Sequence, residues 1–191
     1  LFAFYFYQKR RFGLFLVFII LSLLIREDIG LIVAMFGPLY LIDSFKNQGN
    51  FKLTGKDWLW FLVPLLLGLT WLLAALKIIA FFNSDGHYKF LYYYSWLGNS
   101  LGEIVFGPFR HPLKVLLHLA TLGNLEMILG FLFSFLFLPL FSVGHLVLAL
   151  ATFYQMTMGA SGGSEIILHT HYSALFLPAL VISSIYGAKK F

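Results

Sequence analysis

The chain has 191 residues, of which 60% are hydrophobic and 11% are charged, with 23 Phe and no Cys. Soluble domains are about 45–50% apolar and about 25% charged, so a water-soluble fold of this length is excluded, and without Cys so are disulfides and thiolate metal sites. The net charge of +5 is not a nucleic-acid signal, because the Lys and Arg lie in short loops between apolar runs, where they set orientation in a membrane.

The first run, Leu1 to Tyr7, is apolar and aromatic. It is too short to span and lacks the basic start and small-residue cleavage site of a signal peptide. It reads as the tail of an earlier helix, which makes the chain the C-terminal part of a longer protein; a processed or trimmed terminus is the alternative. A bilayer core of about 30 Å needs roughly 20 helical residues. The candidate spans in order are Phe12 to Ile25, Ile29 to Phe45, Asp57 to Phe82, Leu122 to Ser142, His145 to Met158 and Tyr172 to Tyr186. Between the third and fourth lies a mixed region with Tyr88, Tyr92, Tyr93, Tyr94 and Trp96, rings that suit the membrane–water boundary. Pro112 then opens a stretch with Leu113, Leu116, Leu117 and Ala120 on one helical face and Lys114, His118 and Thr121 opposite. That spacing predicts a short helix lying in the interface. The expected fold is an all-α polytopic transmembrane bundle, about six membrane segments plus the interfacial helix. It forms a single transmembrane domain over residues 1–191 with no internal repeat.

Cytoplasmic short loops carry excess Lys and Arg. Placing Lys9-Arg10-Arg11 inside and alternating six crossings also puts the Lys46–Lys56 loop and Lys189-Lys190 inside. The expectation is a multi-pass protein of the cell membrane, with the lipid bilayer as its partner. The opposite face then receives Arg26-Glu27-Asp28, the aromatic region and the Gly159–His171 region.

Arg26-Glu27-Asp28 is the most informative triplet. The run before it, 14 residues, reaches only about 21 Å at 1.5 Å per residue. The triplet is therefore expected below the outer interface, in a hydrated cavity, where charges usually face a pathway or partner. A carboxylate pair beside an arginine suits a cation, a sugar hydroxyl or a proton. The structural alternative is a tight turn with Asp28 capping the next helix. Glu103, between Tyr94-Ser95-Trp96-Leu97-Gly98 and Gly107-Pro108, is an acid, base or ligand candidate, or a cap. Glu165, His169, His171 and Tyr172 precede the last span. His169 and His171 share a face on a strand but not on a helix. A divalent metal held with Glu165 is possible on this spacing without being supported by it, and no cofactor is identified. Contact with a phosphate, or simple interfacial histidines, are the other readings. His145 falls at a predicted cytoplasmic turn with no site role. There is no phosphate-cradling Gly-Lys-Ser/Thr loop, no nucleophile elbow and no zinc-protease pair.

Leu24-Ile25-Arg26-Glu27-Asp28-Ile29-Gly30-Leu31, Tyr94-Ser95-Trp96-Leu97-Gly98-Asn99-Ser100 with Glu103-Ile104, and His171-Tyr172-Ser173-Ala174 with Pro178 together resemble a family of predicted prokaryotic membrane proteins of unknown function, grouped with the GT-C glycosyltransferases. The resemblance covers about Phe12 to Lys190. It implies a polyprenyl-phosphate-linked sugar as donor on the extracytoplasmic side. It also implies a Lys/Arg-Glu-Asp motif at Arg26, Glu27 and Asp28, and a basic residue facing the lipid phosphate at His171, where many relatives have Arg-Tyr…Pro. GT-C enzymes carry a catalytic Asp or Glu in a first extracytoplasmic loop; no such loop stands here, so the catalytic residue is unknown. The substrate-binding candidates are Arg26, Glu27, Asp28, Glu103, His169, His171 and Tyr172. A transporter or lipid-carrier flippase, for which inverted repeats would be expected, and a non-catalytic membrane scaffold subunit are the alternatives.

Overall fold

The computed structural model describes residues 1–48, 55–83, 89–159, 167 and 171–190. Every element among them is helical. In chain order they are α1 (Phe2–Gln8), α2 (Phe12–Leu23), α3 (Ile29–Ala34), α4 (Phe36–Gln48), α5 (Gly55–Phe82), a 3₁₀ segment (Lys89–Tyr94), α6 (Leu101–Arg110), α7 (Pro112–Leu119), α8 (Leu122–Ser134), a second 3₁₀ segment (Leu138–Leu146), α9 (Val147–Thr157), a third (His171–Leu175) and α10 (Leu177–Ala188).

Three stretches are long and apolar enough to cross a bilayer: Ile29–Lys46, Asp57–Phe82 and Leu138–Thr157. The first two coincide with expected spans. A fourth is obtained if α7 and α8, bent by 59° at their junction, count as one broken span. The count among the described residues is thus three or four, against about six expected. The difference has identifiable causes. α2 and α10 are apolar but have 12 residues each, about 18 Å of helix. The expected span Leu122 to Ser142 stops at Ser134, and Leu136 and Phe137 then take left-handed φ values of 52° and 57°. Pro139 follows in the first turn of the restarted 3₁₀ segment, a position where a proline is tolerated. The chain restarts at Leu138, so the next span begins seven residues ahead of His145 and runs 20 residues to Thr157.

The α7–α8 bend is built by Thr121 and Asn124. The Thr121 hydroxyl accepts the Asn124 backbone N–H at 3.3 Å and so caps α8. The buried Asn124 amide donates to the Leu119 carbonyl at 3.1 Å, satisfying the end of α7. On α7, Leu113, Leu116 and Leu117 are exposed, while His118 stacks on Trp96 at 4.4 Å. An interface-lying helix needs such an outward apolar face.

Lipid offers helices no hydrophobic reason to associate, so close backbone packing at small residues does much of the work. α3 and α5 meet at Gly30 and Gly68: a Cβ on Gly68 would lie 2.2 Å from the Gly30 carbonyl oxygen and 2.5 Å from the Ala34 nitrogen. About two turns on, a Cβ on Gly37 of α4 would lie 2.6 Å from the Phe61 carbonyl oxygen. α10 uses the same device on the Leu138–Leu146 segment, where a Gly187 Cβ would fall 2.1 Å from the Leu138 oxygen. There the Ser183 hydroxyl also lies within hydrogen-bond distance of the Pro139 and Ser142 carbonyls, at 3.0 and 2.7 Å. Ser142 is kinked out of helical geometry, and Ser183 gives the freed carbonyls a donor. Much of the outer surface of α5, including Leu66, Leu73 and Ile78, is left exposed for lipid.

Gly68→Val is expected to destabilise the protein in detergent by about 1–3 kcal/mol, the usual cost of overpacking. Gly130→Ala, with nothing within 4 Å of the new Cβ, is expected to be neutral or mildly stabilising. Thermal unfolding followed by size-exclusion chromatography checks both; equal midpoints would remove the Gly30–Gly68 contact from the account.

Candidate functional site

The triplet forms the turn between α2 and α3. α2 ends at Leu23, and Asp28 stands immediately before α3, whose seat on α5 is fixed by Gly30. The Asp28 side chain makes no capping bond to α3. It takes instead an ion pair from the Arg26 guanidinium, with Nη2 2.6 Å from Oδ2. Asp28 is 2% exposed, and its second oxygen, Oδ1, is buried with no hydrogen-bond partner among the described residues. A buried carboxylate oxygen normally has a partner, so this one marks a place where a donor is wanted. Burial pushes the Asp28 carboxyl above its ordinary range, more than the Arg26 charge draws it down, and Glu27 adds to the rise. Glu27 is half-buried and pairs with no described residue.

Arg26 itself is pinned on its other side. Its guanidinium carbon lies 4.5 Å from the centre of the Tyr172 ring, a cation–π distance. The triplet and the start of the last helical region, far apart in sequence, therefore meet at one point. A third segment joins them. The Tyr94 hydroxyl donates to the Gln155 carbonyl at 3.0 Å, and the Trp96 indole to the Met158 carbonyl at 2.9 Å, tying the aromatic region to the end of α9. Burial raises the Tyr94 phenol above its ordinary value, and the neighbouring Tyr172 contributes to the shift.

Glu103 is placed differently. It sits in the first turn of α6, where its N–H reaches the Ser100 hydroxyl at 3.2 Å and its carboxylate accepts the Asn99 N–H at 2.8 Å. Those bonds resemble a capping box. His171 begins the 3₁₀ turn that carries Tyr172. His169 and Glu165 lie outside the described residues. Among the described residues no group of three or more His, Asp or Glu is placed to hold a metal ion.

Beyond the Arg26–Tyr172 pair, α8, α9 and α10 line an open apolar groove of about 240 Å³. Phe131, Phe153, Phe176 and Leu180 contribute to its walls, and Phe176 directly follows the turn that carries Tyr172. At the other end of the bundle, Arg10, Lys46 and Lys190, one from each basic cluster, line a single polar cavity together with His145. His145 had carried no site role in the sequence. Its burial there could not be read from spacing, because it depends on the break at Leu136 and Phe137, after which the chain restarts upstream at Leu138.

A family model matches the chain over residues 1–191. The chain belongs to the family of predicted membrane proteins described as DUF2079. No curated protein matches it, and no solved structure does.

Truncating one partner of a fully buried ion pair costs about 3–5 kcal/mol. The Arg26 side chain is 25% exposed, so Arg26→Ala is expected to cost less, about 1–2 kcal/mol after solvent screening. Adding Asp28→Asn should recover part of that loss. A double-mutant cycle on thermal midpoints in detergent measures the coupling; strictly additive losses would mean that the pair is not coupled.

Proposed function

We propose that this membrane protein contributes the donor-binding part of a GT-C-like glycosyltransferase, taking a polyprenyl-phosphate-linked sugar on the extracytoplasmic face. The basic loops are then cytoplasmic and the triplet lies at the outer end. The observation that carries the reading is the Arg26 guanidinium held between Asp28 and the Tyr172 ring, with Asp28 Oδ1 buried and unpartnered beside it.

Each part has a chemical task. A guanidinium has five N–H donors in a fixed fork and matches phosphate oxygens bidentately. The guanidinium serves Asp28 and also engages Tyr172, and the N–H donors beyond these two contacts are the ones proposed for the lipid phosphate. Asp28 Oδ1 accepts a sugar hydroxyl, and Glu27 stands next to it for a second. His171, at the start of the turn, and His169, which lies outside the described residues, are proposed as further phosphate contacts. The apolar groove at Phe176 takes an isoprenoid segment. In the reaction, an acceptor hydroxyl oxygen bonds to the anomeric carbon, the bond from that carbon to the phosphate oxygen breaks, and polyprenyl phosphate leaves with the electron pair. The hydroxyl proton goes to a base. General-base help is typically worth about 10²–10⁴ in rate. No residue of this chain is assigned that role, and Glu103 is committed to the α6 turn.

The test uses the chain in nanodiscs with a photoreactive polyprenyl-phosphate sugar. A hydrogen bond to a charged group contributes about 1.5–3 kcal/mol, so Arg26→Ala should weaken capture roughly tenfold or more, and Asp28→Asn should weaken it less. Sugar transfer by this chain alone is not expected. Undiminished capture in both variants removes the proposed site, and transfer that disappears on Glu103→Gln would move the catalytic centre to α6.

A further inference from the structure

The polar cavity at the opposite end has a volume of about 360 Å³. Its floor is buried: Tyr7, Ser142 and His145 line it, with the half-buried Asp43 and Tyr186. Its rim carries three exposed cations, Arg10, Lys46 and Lys190. Asp43 is the one carboxylate in the lining. It accepts the Tyr7 hydroxyl at 2.8 Å and forms no ion pair with any of the three cations. Three positive charges converge from the α1–α2 turn, the end of α4 and the end of α10 around that single carboxylate, with no ion pair to any of them among the described residues.

These cations are held in place. Arg10 has a left-handed φ of 53°, a conformation that costs energy for a non-glycine residue and clusters at functional sites. Its guanidinium lies 4.9 Å from the Tyr40 ring centre and 5.7 Å from those of Tyr7 and Trp60. The Lys190 ammonium donates to the Phe141 carbonyl. Lys46 reaches over Gly144, where a Cβ would lie 2.8 Å from its Nζ. On the floor, one His145 nitrogen is 2.8 Å from the Ser142 hydroxyl, and the ring stacks on Tyr186 at 4.3 Å. The other ring nitrogen has no partner among the described residues.

We propose that this cavity binds a phosphate group, carried by the headgroup of an anionic membrane lipid in the adjoining leaflet. Three cations around one carboxylate, with Arg10 stacked on aromatic rings and Lys190 tied to a carbonyl, fit a phosphate oxygen set better than a neutral or cationic ligand. A lipid source is favoured by the cavity's setting. Leu140, Phe141 and Val143, on the segment that supplies Ser142 and His145, are exposed large apolar side chains, as a wall facing acyl chains would be. Basic pockets between helices at a membrane surface bind anionic headgroups in this way. The site is independent of the donor site proposed above and lies at the far end of α2 from it.

The experiment measures thermal midpoints of the purified chain in detergent with added phosphatidylglycerol, phosphatidylcholine or inorganic phosphate. Phosphatidylglycerol is expected to raise the midpoint and phosphatidylcholine not to. Each surface cation contributes about 1 kcal/mol of lipid attraction, so Lys46→Gln and Lys190→Gln should each weaken the phosphatidylglycerol response about fivefold, with Lys114→Gln as an unaffected control. Gly144→Ala displaces the Lys46 ammonium while keeping every charge, and should also weaken it. A midpoint raised equally by inorganic phosphate and abolished by the same variants supports the phosphate site and assigns it a free anion. Equal responses to phosphatidylglycerol and phosphatidylcholine, or lysine variants indistinguishable from Lys114→Gln, overturn it.

Discussion

Where α3 crosses α5, the two backbones touch at Gly30 and Gly68 with no room for a side chain, and the placement of the Arg26–Asp28 cluster follows from that contact. In lipid, an apolar face gains nothing by leaving the solvent, so dispersion between closely approaching backbones has to hold the pair. α5 leaves much of its own surface to the bilayer. Gly30 is the second residue of α3, and Asp28 precedes the helix directly. Fixing Gly30 against Gly68 therefore fixes Asp28, and through the 2.6 Å ion pair it fixes Arg26 over Tyr172.

The bundle is polar at two ends for different reasons. At the triplet, a carboxylate and a guanidinium are paired and largely buried, which is stable only while their remaining hydrogen-bonding capacity is met; the unpartnered Asp28 Oδ1 is what makes the place look receptive. At the basic end, charge is concentrated and exposed, held by aromatic faces and a carbonyl. Between them the packing is dry and aromatic: Phe15 and Trp60 pack at 5.3 Å, and Phe15 and Phe36 at 5.2 Å. Under the two proposals, these ends would meet lipid headgroups in opposite leaflets.

Much of this was legible in the residues. The spans at Ile29–Lys46 and Asp57–Phe82 follow from uninterrupted apolar length, and the outward face of α7 follows from the spacing of Leu113, Leu116 and Leu117. Arg26-Glu27-Asp28 stood out because charges between short apolar runs demand an explanation. What could not be read depends on tertiary partners. One span ended early at the left-handed Leu136 and Phe137, and Ser183 and Gly187 of α10 pack on the restarted segment. Nothing in the sequence singles out Asn124, whose amide closes α7. The three basic clusters were read as an orientation signal, but nothing in their spacing announced that Arg10, Lys46 and Lys190 would line one cavity. Glu103 carried both a functional and a capping reading, and its bonds in the fold are those of a cap.

The account rests on the two polar ends facing opposite sides of the membrane, with the basic end inside. The chain has no native Cys, so single cysteines report cleanly. Arg11 and Ser100 are exposed at the two ends. The most direct measurement is labelling of Arg11→Cys and Ser100→Cys with a membrane-impermeant maleimide in intact and permeabilised cells. The account predicts that position 100 reacts in intact cells and position 11 only after permeabilisation. Labelling of position 11 but not 100 in intact cells, or of both, would contradict it.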